Sequence, residues 1–171
     1  MGLHVFQPVE LDDVLEGAFR FGGETWALLT AGNENKANTM TVSWGGITYV
    51  WDKTCAIIYV RESRYTKEFI DAEKKFSLSF LNHDEYRGLK KYLGSVSGRD
   101  EDKIANAKLN LNFDDGIPFV DEADNVLICK VLYRQQMKEE CVTNGRVIAN
   151  FYDKGNYHWF YIAEIKKVMI R

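Results

Sequence analysis

The 171-residue sequence contains only two prolines and three cysteines, and it lacks any long apolar run. Its longest apolar strings, such as Val126 to Cys129, have the length of a β-strand, whereas a membrane helix needs ~18 apolar residues. The first sixteen residues hold four carboxylates and no basic cluster, which is not the pattern of a signal peptide. We therefore expect a cytoplasmic protein without a membrane-spanning segment.

Cysteine and histidine are too few and too scattered for a metal centre. Cys55 and Cys129 lie in apolar, strand-like stretches, where a free cysteine behaves as a small hydrophobic residue. Cys141 lies among acidic residues that disfavour a reactive thiolate. None of the three histidines lies at ligand spacing from a cysteine, so the sequence predicts neither a zinc site nor a catalytic thiol.

Positive charge is not in excess, because 22 Lys and Arg face 25 Asp and Glu for a formal net charge of −3. A nucleic-acid binder needs a concentrated positive field. The chain also lacks the G-x-G-x-x-G fingerprint, the P-loop and the G-x-S-x-G elbow. These absences argue against a nucleic-acid partner, a Rossmann-type dinucleotide site, a P-loop NTPase and a serine hydrolase.

Aromatic residues, in contrast, are plentiful, with four Trp, nine Tyr and ten Phe making up 13% of the chain. Rings of this number can fill strands, an interface or a site for a flat cofactor. The length predicts a single domain over residues 1–171, with residues 1–20 as an N-terminal extension. A chain of this size can bury a core without disulfides.

Apolar periodicity predicts more strands than helices. The expected strands cover residues 25–30, 39–44, 55–60, 75–81, 126–133 and 157–170, with weaker alternation in 109–113. The first two strands form a hairpin across residues 31–38, and the second is expected to stop at Gly45-Gly46. Because strands and helices do not alternate, a doubly wound sheet is disfavoured, and we predict a mainly β antiparallel barrel with inserted helices.

Three helices are expected between these strands. The first begins after Ser63 as N-cap, and the others cover residues 84–93 and 99–108. Either Ser97 or Asp100 could cap the last of them. Residues 134–156 are polar and show no interpretable period.

Four polar segments could carry chemistry, and each also has a structural explanation. Residues 38–44 carry alternating hydroxyls followed by Trp44, which is also the pattern of an edge strand with solvated Thr and Ser. Residues 60–66 lead a buried strand into a helix whose first turn carries two arginines and three hydroxyls. Free N–H groups and the helix dipole favour phosphate there, although such arginines also occur on plain surfaces.

The third segment, residues 95–103, combines serines with Gly98, where the backbone can turn tightly or approach a ligand. A capped, charge-paired surface helix explains it equally well. The fourth segment places His158 among aromatic residues at the start of the last strand. A lone histidine in that setting is often structural.

Together these segments resemble the flavin reductase-like proteins of the FMN-binding split-barrel class, the flavoredoxin group. The resemblance is carried by residues 38–46, 60–69, 94–103, 121–129 and 157–165, in that order. It extends from about Trp26 to the C-terminus. It implies a six-stranded Greek-key split β-barrel that dimerises and binds FMN at two interface sites.

The resemblance also implies roles for matching positions. The ring of FMN is expected against the first segment, and its phosphate and ribityl chain against the second. The third segment would close either the phosphate side or the polar edge of the ring. His158, from either chain of the dimer, would face the flavin, and Lys103 would stabilise the reduced ring. The implied cofactor-binding residues are Asn38, Thr39, Met40, Thr41, Ser43, Trp44, Arg61, Ser63, Tyr65, Thr66, Ser97, Gly98, Arg99, Lys103 and His158. Lys103 and His158 are the candidates for a catalytic role, and no metal is expected.

The sequence departs from the family pattern at three places. Leu93 replaces a common cysteine, so no redox thiol is expected there. Glu62 replaces a proline and puts a carboxylate near the proposed phosphate position. Ala163 adds a methyl group where the family keeps glycine.

Three functions are compatible with these observations. The first is an FMN-dependent oxidoreductase that takes hydride from NADH or NADPH. The second is an electron-transfer flavoprotein that exchanges electrons with a redox protein partner and never handles nicotinamide. The third is a split-barrel dimer that has lost its flavin.

Overall fold

The computed structural model describes residue 22 and residues 25–171. The expected N-terminal extension, residues 1–20, lies outside the described residues. No helix in the described part of the chain is long and apolar enough to cross a membrane.

Nine strands and four short helices make up the described chain, which confirms the predicted mainly β fold with inserted helices. The strands are β1 (Ala27–Gly32), β2 (Ala37–Val42), β3 (Gly45–Val50), β4 (Lys53–Arg61), β5 (Lys75–Phe80), β6 (Leu111–Asp114), β7 (Ile117–Val120), β8 (Asn125–Gln136) and β9 (His158–Ile170). The helices are α1 (Tyr65–Glu73), α2 (Arg87–Ser95), α3 (Lys103–Asn106) and α4 (Gly145–Phe151), with a 3₁₀ turn at Glu139–Cys141.

Seven strands form one antiparallel sheet in the order β2-β1-β5-β8-β9-β4-β3. The sheet curls until β2 contacts β4, which closes a barrel around an apolar interior. Consecutive strands β4 and β5 are separated in the sheet by β8 and β9, a crossing of the Greek-key type. The crossing carries α1, which places the start of that helix beside β2.

The strands around β5 are buried on both faces. Phe76, Leu78 and Phe80 point into the barrel, as their alternation predicts. The serines between them bind the small β6–β7 hairpin on the other face: Ser77 Oγ donates to the carbonyl of Pro118 at 2.7 Å, and Ser79 Oγ accepts from the amide of Val120 at 3.2 Å. A second apolar cluster fills the space under this hairpin and α2.

Strand β2 ends at Val42, just before Gly45-Gly46 as predicted, and a further strand that the sequence did not mark, β3, begins at Gly45. A Cβ on Gly45 would lie 2.4 Å from the carbonyl oxygen of Ile57 on β4, so glycine permits a close approach of the two strands. The β3–β4 hairpin turns at Trp51 and Asp52, which both have left-handed φ values, of 53° and 55°. A turn built from these two residues carries little sequence signal.

The β6–β7 hairpin was predicted only as weak alternation over residues 109–113. Its turn is Asp115-Gly116, with φ values of 49° and 71°. Asp-Gly is a strong signal for a two-residue hairpin turn, so this element could have been read from the sequence.

The helix predictions are right in position but wrong at their ends. Arg64 is the N-cap of α1 without a side-chain hydrogen bond, so Ser63 does not cap the helix. Helix α2 begins at Arg87 rather than at residue 84. The helix expected over residues 99–108 has only four residues and is capped by Asp102, whose Oδ1 accepts from the amide of Ala105.

The carboxylate of Asp71 joins α1 to the barrel wall. Asp71 accepts hydrogen bonds from Lys67 Nζ at 2.8 Å and from the Tyr161 hydroxyl at 3.0 Å, and it pairs with Arg134 on β8. Burial would raise the pKa of Asp71, but the hydrogen bonds from Lys67, Arg134 and Tyr161 outweigh it and hold the pKa below its ordinary value. The ionised carboxylate is therefore favoured by the folded state.

We predict that Asp71→Asn destabilises the fold by about 1–3 kcal/mol, because charge-assisted hydrogen bonds are lost. The pKa of Asp71 is lower in the folded state, so this stabilisation is present above the unfolded pKa of ~4 and is lost as pH falls through the folded pKa. Urea unfolding should show the full difference near pH ~7 and a smaller one below pH ~4.

The matched control is Asp84→Asn, which removes an ion pair with Arg87 whose two side chains are 89% and 83% exposed. We expect a change of less than ~1 kcal/mol for this control. Equal destabilisation by the two substitutions would show that Asp71 does not have the proposed structural role.

Candidate functional site

A groove runs along β2, between the start of α1 and the end of α2, and contains two adjoining cavities. The first, of about 200 Å³, is lined by Met40 to Trp44 together with Tyr59, Arg61, Arg64 and His158. The second, of about 90 Å³, is lined by Asn38 and Met40, by residues 63–66, by residues 95–98 and by Lys103. Met40 and Arg64 line both cavities, so the two cavities are adjacent.

Strand β2 uses its two faces differently. The side-chain amide of Asn38 lies in the groove and donates to Thr66 Oγ1 at 2.8 Å, with both residues buried. Thr39 instead lies in the sheet interior, where its hydroxyl accepts from Thr30 Oγ1 at 3.0 Å. Thr41 donates to the carbonyl of Lys90 at 3.0 Å, which fastens α2 to the strand. Two of the three predicted hydroxyls therefore make internal bonds.

Gly98 allows the third segment to lie directly on the amide of Asn38. A Cβ at this position would lie 2.0 Å from Asn38 Oδ1 and 3.3 Å from Tyr65 Cδ1. The bare backbone therefore closes the groove over β2 and α1, and no larger residue fits without displacing Asn38.

The start of α1 faces the smaller cavity without a side-chain cap. The first N–H groups of a helix have no acceptor within the helix, and the helix dipole places positive potential there. The hydroxyls of Ser63 and Thr66 and the guanidinium of Arg64 lie at the same end. This end of the groove can bind an anion such as a phosphate.

A half-buried arginine and a buried lysine hold the end of α2 against this helix start. Arg64 Nη1 donates to the carbonyl of Gly94 at 2.8 Å, and Lys103 Nζ donates to the carbonyls of Leu93 and Val96 at 3.1 and 3.2 Å. Burial, and secondarily the charge of Arg64, lowers the pKa of Lys103 to about 8. Burial and the charge of Arg61 also lower the pKa of Arg64.

The loop before β9 is bound to the start of α1 by two hydrogen bonds between Asn156 and Ser63. Asn156 Oδ1 accepts from the amide of Ser63 at 3.1 Å, and Asn156 Nδ2 donates to Ser63 Oγ at 3.0 Å. Arg61 Nη1 donates to the carbonyls of Phe151 and Asn156, both at 3.1 Å. From the other side, Arg99 Nη1 donates to the Ser63 carbonyl at 3.2 Å.

His158 forms the wall of the larger cavity opposite β2. Its ring lies 4.8 Å from that of Trp44, and its Nδ1 is 2.8 Å from the hydroxyl of Tyr152. Burial, followed by the positive charges of Arg61 and Arg64, lowers the pKa of His158 to about 4. The imidazole is therefore neutral at physiological pH.

Trp44 and Tyr59 also line a separate apolar cavity of about 360 Å³. Its other walls come from the segment that sequence periodicity left uninterpreted, and they are formed by Met137, Val147, Phe151 and Tyr152. Phe151 packs edge-on against Trp44, with ring centroids 5.4 Å apart. A planar ligand could therefore find aromatic walls beside the polar groove.

The three departures from the family pattern all have local explanations. Glu62 accepts a hydrogen bond from Trp159 Nε1 and lies 3.5 Å from Lys67 Nζ, so its charge is directed to partners outside the two cavities. Ala163 is fully buried in the barrel core. Leu93 is fully buried in the second apolar cluster, under α2.

The groove brings together most of the residues expected from the sequence. Thirteen line its two cavities: Asn38, Met40, Thr41, Ser43, Trp44, Arg61, Ser63, Tyr65, Thr66, Ser97, Gly98, Lys103 and His158. Arg99 lines a neighbouring outer cavity of about 620 Å³, and Thr39 lies in the sheet interior. The roles assigned to Lys103 and His158 beside a flavin stay predictions.

Sequence reasoning counts Arg64 among the cations of the anion site but misses three other residues of the groove and its walls. Tyr59 could have been found because it lies two positions from Arg61 on the same strand face. Tyr152 and Asn156 lie in the stretch without periodicity, where no pattern marks them.

Comparisons with known proteins identify the fold and the family. A family model described as "Flavin reductase like domain" matches residues 22–170. Among curated protein sequences, none matches the chain with significance.

Solved structures match the fold closely. An FMN-binding protein from Thermus thermophilus with bound 1-cyclohex-2-enone gives a TM-score of 0.68 at 18% identity, covering 99% of this chain and 80% of its own. Flavoredoxin from Methanosarcina acetivorans gives a TM-score of 0.67 at 19% identity, and the match covers 97% of this chain and 76% of the flavoredoxin chain. The styrene monooxygenase flavin reductase from Pseudomonas putida S12 gives a TM-score of 0.62 at 16% identity, and the match covers 85% of this chain and 79% of the reductase chain. At these identities the likeness shows the fold.

We predict that Gly98→Ala destabilises the protein by about 1–3 kcal/mol, because the new methyl group overlaps Asn38 Oδ1 and must break its bond to Thr66. Gly88→Ala is the matched control, since a Cβ on Gly88 meets nothing within 4 Å and the residue lies in α2. The control should be neutral or slightly stabilising in thermal unfolding. An unchanged melting temperature for Gly98→Ala would contradict the close contact.

Proposed function

The chain belongs to the flavin reductase-like family, and we propose that it binds FMN in the groove along β2 and acts as an FMN-dependent oxidoreductase. The observation that carries this proposal is the adjacency of the two cavities. An uncapped helix start suited to phosphate lies beside a cavity walled by Trp44 and His158, and Met40 and Arg64 line both. An anion site joined to a ring-sized cavity is what a flavin mononucleotide requires.

The residues of the groove fit the two ends of FMN. Ser63, Arg64 and Thr66, with the first amides of α1, would hold the phosphate. Thr41, Ser43, Trp44 and His158 line the end suited to the ring. Bound FMN would supply the chemistry of accepting a hydride or single electrons.

The side chains around the ring end supply positive charge, hydrogen bonding and an apolar surface. Arg61 and Arg64 add positive charge to the larger cavity, which favours an anionic ligand over a neutral one. His158 is neutral and offers hydrogen bonding without further charge. The neighbouring apolar cavity gives room for a second planar molecule beside Trp44, such as the nicotinamide of NADH or NADPH.

The names of the matched structures support flavin chemistry and leave the electron route open. One is an FMN-binding protein, one a flavoredoxin and one the flavin reductase of a monooxygenase. A direct nicotinamide reaction and electron exchange with a redox protein partner are therefore the two routes to distinguish. We favour the first, because the apolar cavity adjoins the ring end of the groove.

We further propose that the chain forms a homodimer through the outer face of the sheet. Four rings lie in a row there: the centroids are 6.3 Å apart for Trp51 and Tyr133, 5.9 Å for Tyr133 and Phe160, and 6.3 Å for Phe160 and Tyr59. Trp51 is 56% exposed and Tyr133 is 41% exposed. A contiguous aromatic patch on a sheet is typical of an interaction surface. A second copy would cover it with the same patch.

The proposed cofactor is tested by the visible spectrum of the purified protein after incubation with FMN and gel filtration. We expect a retained flavin spectrum that bleaches on anaerobic addition of NADH or NADPH. Retained FMN that neither nucleotide reduces would favour the electron-transfer route. A protein that takes up no FMN would overturn both flavin functions.

We predict that Arg64→Met weakens FMN binding by about 1.5–3 kcal/mol, ten- to hundredfold, through loss of a charged hydrogen bond to phosphate. Riboflavin has no phosphate, so its affinity should fall much less. Fluorescence titration measures both ligands, and Arg87→Met, at an arginine whose side chain is 83% exposed, is the control. Equal losses for FMN and riboflavin would remove Arg64 from the phosphate site.

We predict that Tyr133→Lys shifts the protein from dimer to monomer in light scattering coupled to gel filtration, because like charges would meet across the aromatic patch. Tyr49→Lys is the control, since Tyr49 is 70% exposed on the opposite face of β3. A monomeric wild-type protein, or a dimer that tolerates Tyr133→Lys, would exclude this interface.

A further inference from the structure

The hydroxyl of Tyr152 and the imidazole of His158 form a buried pair beside the groove. Tyr152 follows α4, His158 opens β9, and their side chains meet with 2.8 Å between Oη and Nδ1. Only 4% of Tyr152 and 7% of His158 is exposed. Water therefore has little access to this hydrogen bond, and the pair itself must satisfy both polar atoms.

The surroundings of the pair decide which atom donates. The other neighbour of the Tyr152 hydroxyl is Met137 Sδ at 3.7 Å, and a thioether sulfur is a weak acceptor. The imidazole nitrogen is the better acceptor of the two, so we expect the phenol to donate to Nδ1. In a neutral imidazole whose Nδ1 accepts, the ring proton lies on Nε2.

The charges that face the pair keep the imidazole neutral. The guanidinium of Arg61 lies 5.6 Å from the centroid of the Tyr152 ring, and Arg64 lines the same cavity as His158. Both oppose a further positive charge, and burial acts in the same direction. No carboxylate lines this cavity in the described part of the chain.

The residue His158 belongs to the wall of the groove. His158 lines the cavity formed by Met40 to Trp44, and its ring lies 4.8 Å from that of Trp44. With Nδ1 bound to the phenol, Nε2 is the polar atom of this ring that remains for a ligand.

We propose that Tyr152 is a positioning residue, which holds His158 as a neutral imidazole with its proton on Nε2 and so makes it an uncharged hydrogen-bond donor to the ring of a ligand in this cavity. The identity of that ligand as a flavin rests on the proposed function. The tautomer and the Tyr152 hydrogen bond do not, because they belong to the protein alone.

The tautomer is tested by long-range ¹H–¹⁵N NMR of the flavin-free, ¹⁵N-labelled protein, with the His158 signals identified by their loss in His158→Gln. We expect a proton on Nε2 and an Nδ1 shift typical of an accepting nitrogen. In Tyr152→Phe, Nδ1 should move downfield toward the position of a free imidazole nitrogen. Tyr157→Phe is the control, because Tyr157 stacks on Tyr152 with centroids 4.4 Å apart and makes no hydrogen bond to His158.

A proton on Nδ1 in the wild-type protein would overturn the proposal, and this outcome does not depend on whether Tyr152→Phe folds. An Nδ1 shift that is the same in wild type and folded Tyr152→Phe would also overturn it.

The consequence for ligand binding is tested with riboflavin, which probes the ring without the phosphate. Tyr152→Phe should bind riboflavin several-fold more weakly than wild type, whereas Tyr157→Phe should bind it unchanged. Equal riboflavin affinity in wild type and Tyr152→Phe would overturn the positioning role. A wild-type protein that binds no flavin would defeat the proposed function and leave the NMR result to decide the tautomer.

Discussion

Two cations, the half-buried Arg64 and the buried Lys103, are held on the carbonyl groups at the end of α2 and determine the shape of the groove. Arg64 and Lys103 come from different helices, yet both donate to the carbonyls between Leu93 and Val96. A helix C-terminus carries partial negative charge and unpaired carbonyls, so it can hold cations that burial would otherwise expel. This arrangement packs the end of α2 against the start of α1, and the backbone near Gly98 then closes over β2. The proposed anion site lies where these three elements meet.

The same arrangement is compatible with the proposed anion site in a chain whose net charge is −3. The negative groups nearest to the second segment already have cationic partners: Glu62 lies beside Lys67, and Glu68 pairs with Arg99. Arg61 and Arg64 donate to backbone carbonyls, which do not neutralise their charge. Positive potential therefore remains at the start of α1 although the surface as a whole is slightly acidic.

Local patterns predicted the strands well because alternation is a property of neighbouring residues. Phe76, Leu78 and Phe80 face the barrel as expected, and the final strand begins at His158. Helix ends were harder, since capping depends on which side chain reaches a free amide. Ser63 has the right chemistry for a cap, but its hydroxyl and amide bind Asn156, which is 93 residues away. A contact of this separation leaves no local signal.

The sequence by itself determined the fold class and the segments that form the groove, because strand alternation, a strand-to-helix junction rich in arginine and hydroxyl groups, and a glycine between polar residues are local features. Tertiary structure alone decided what each side chain does. It turned Thr39 into the sheet, fixed Lys103 on helix carbonyls, and brought Tyr152 from an unpatterned stretch to the ring of His158. Such contacts join residues on different elements, and they form only when those elements pack against each other.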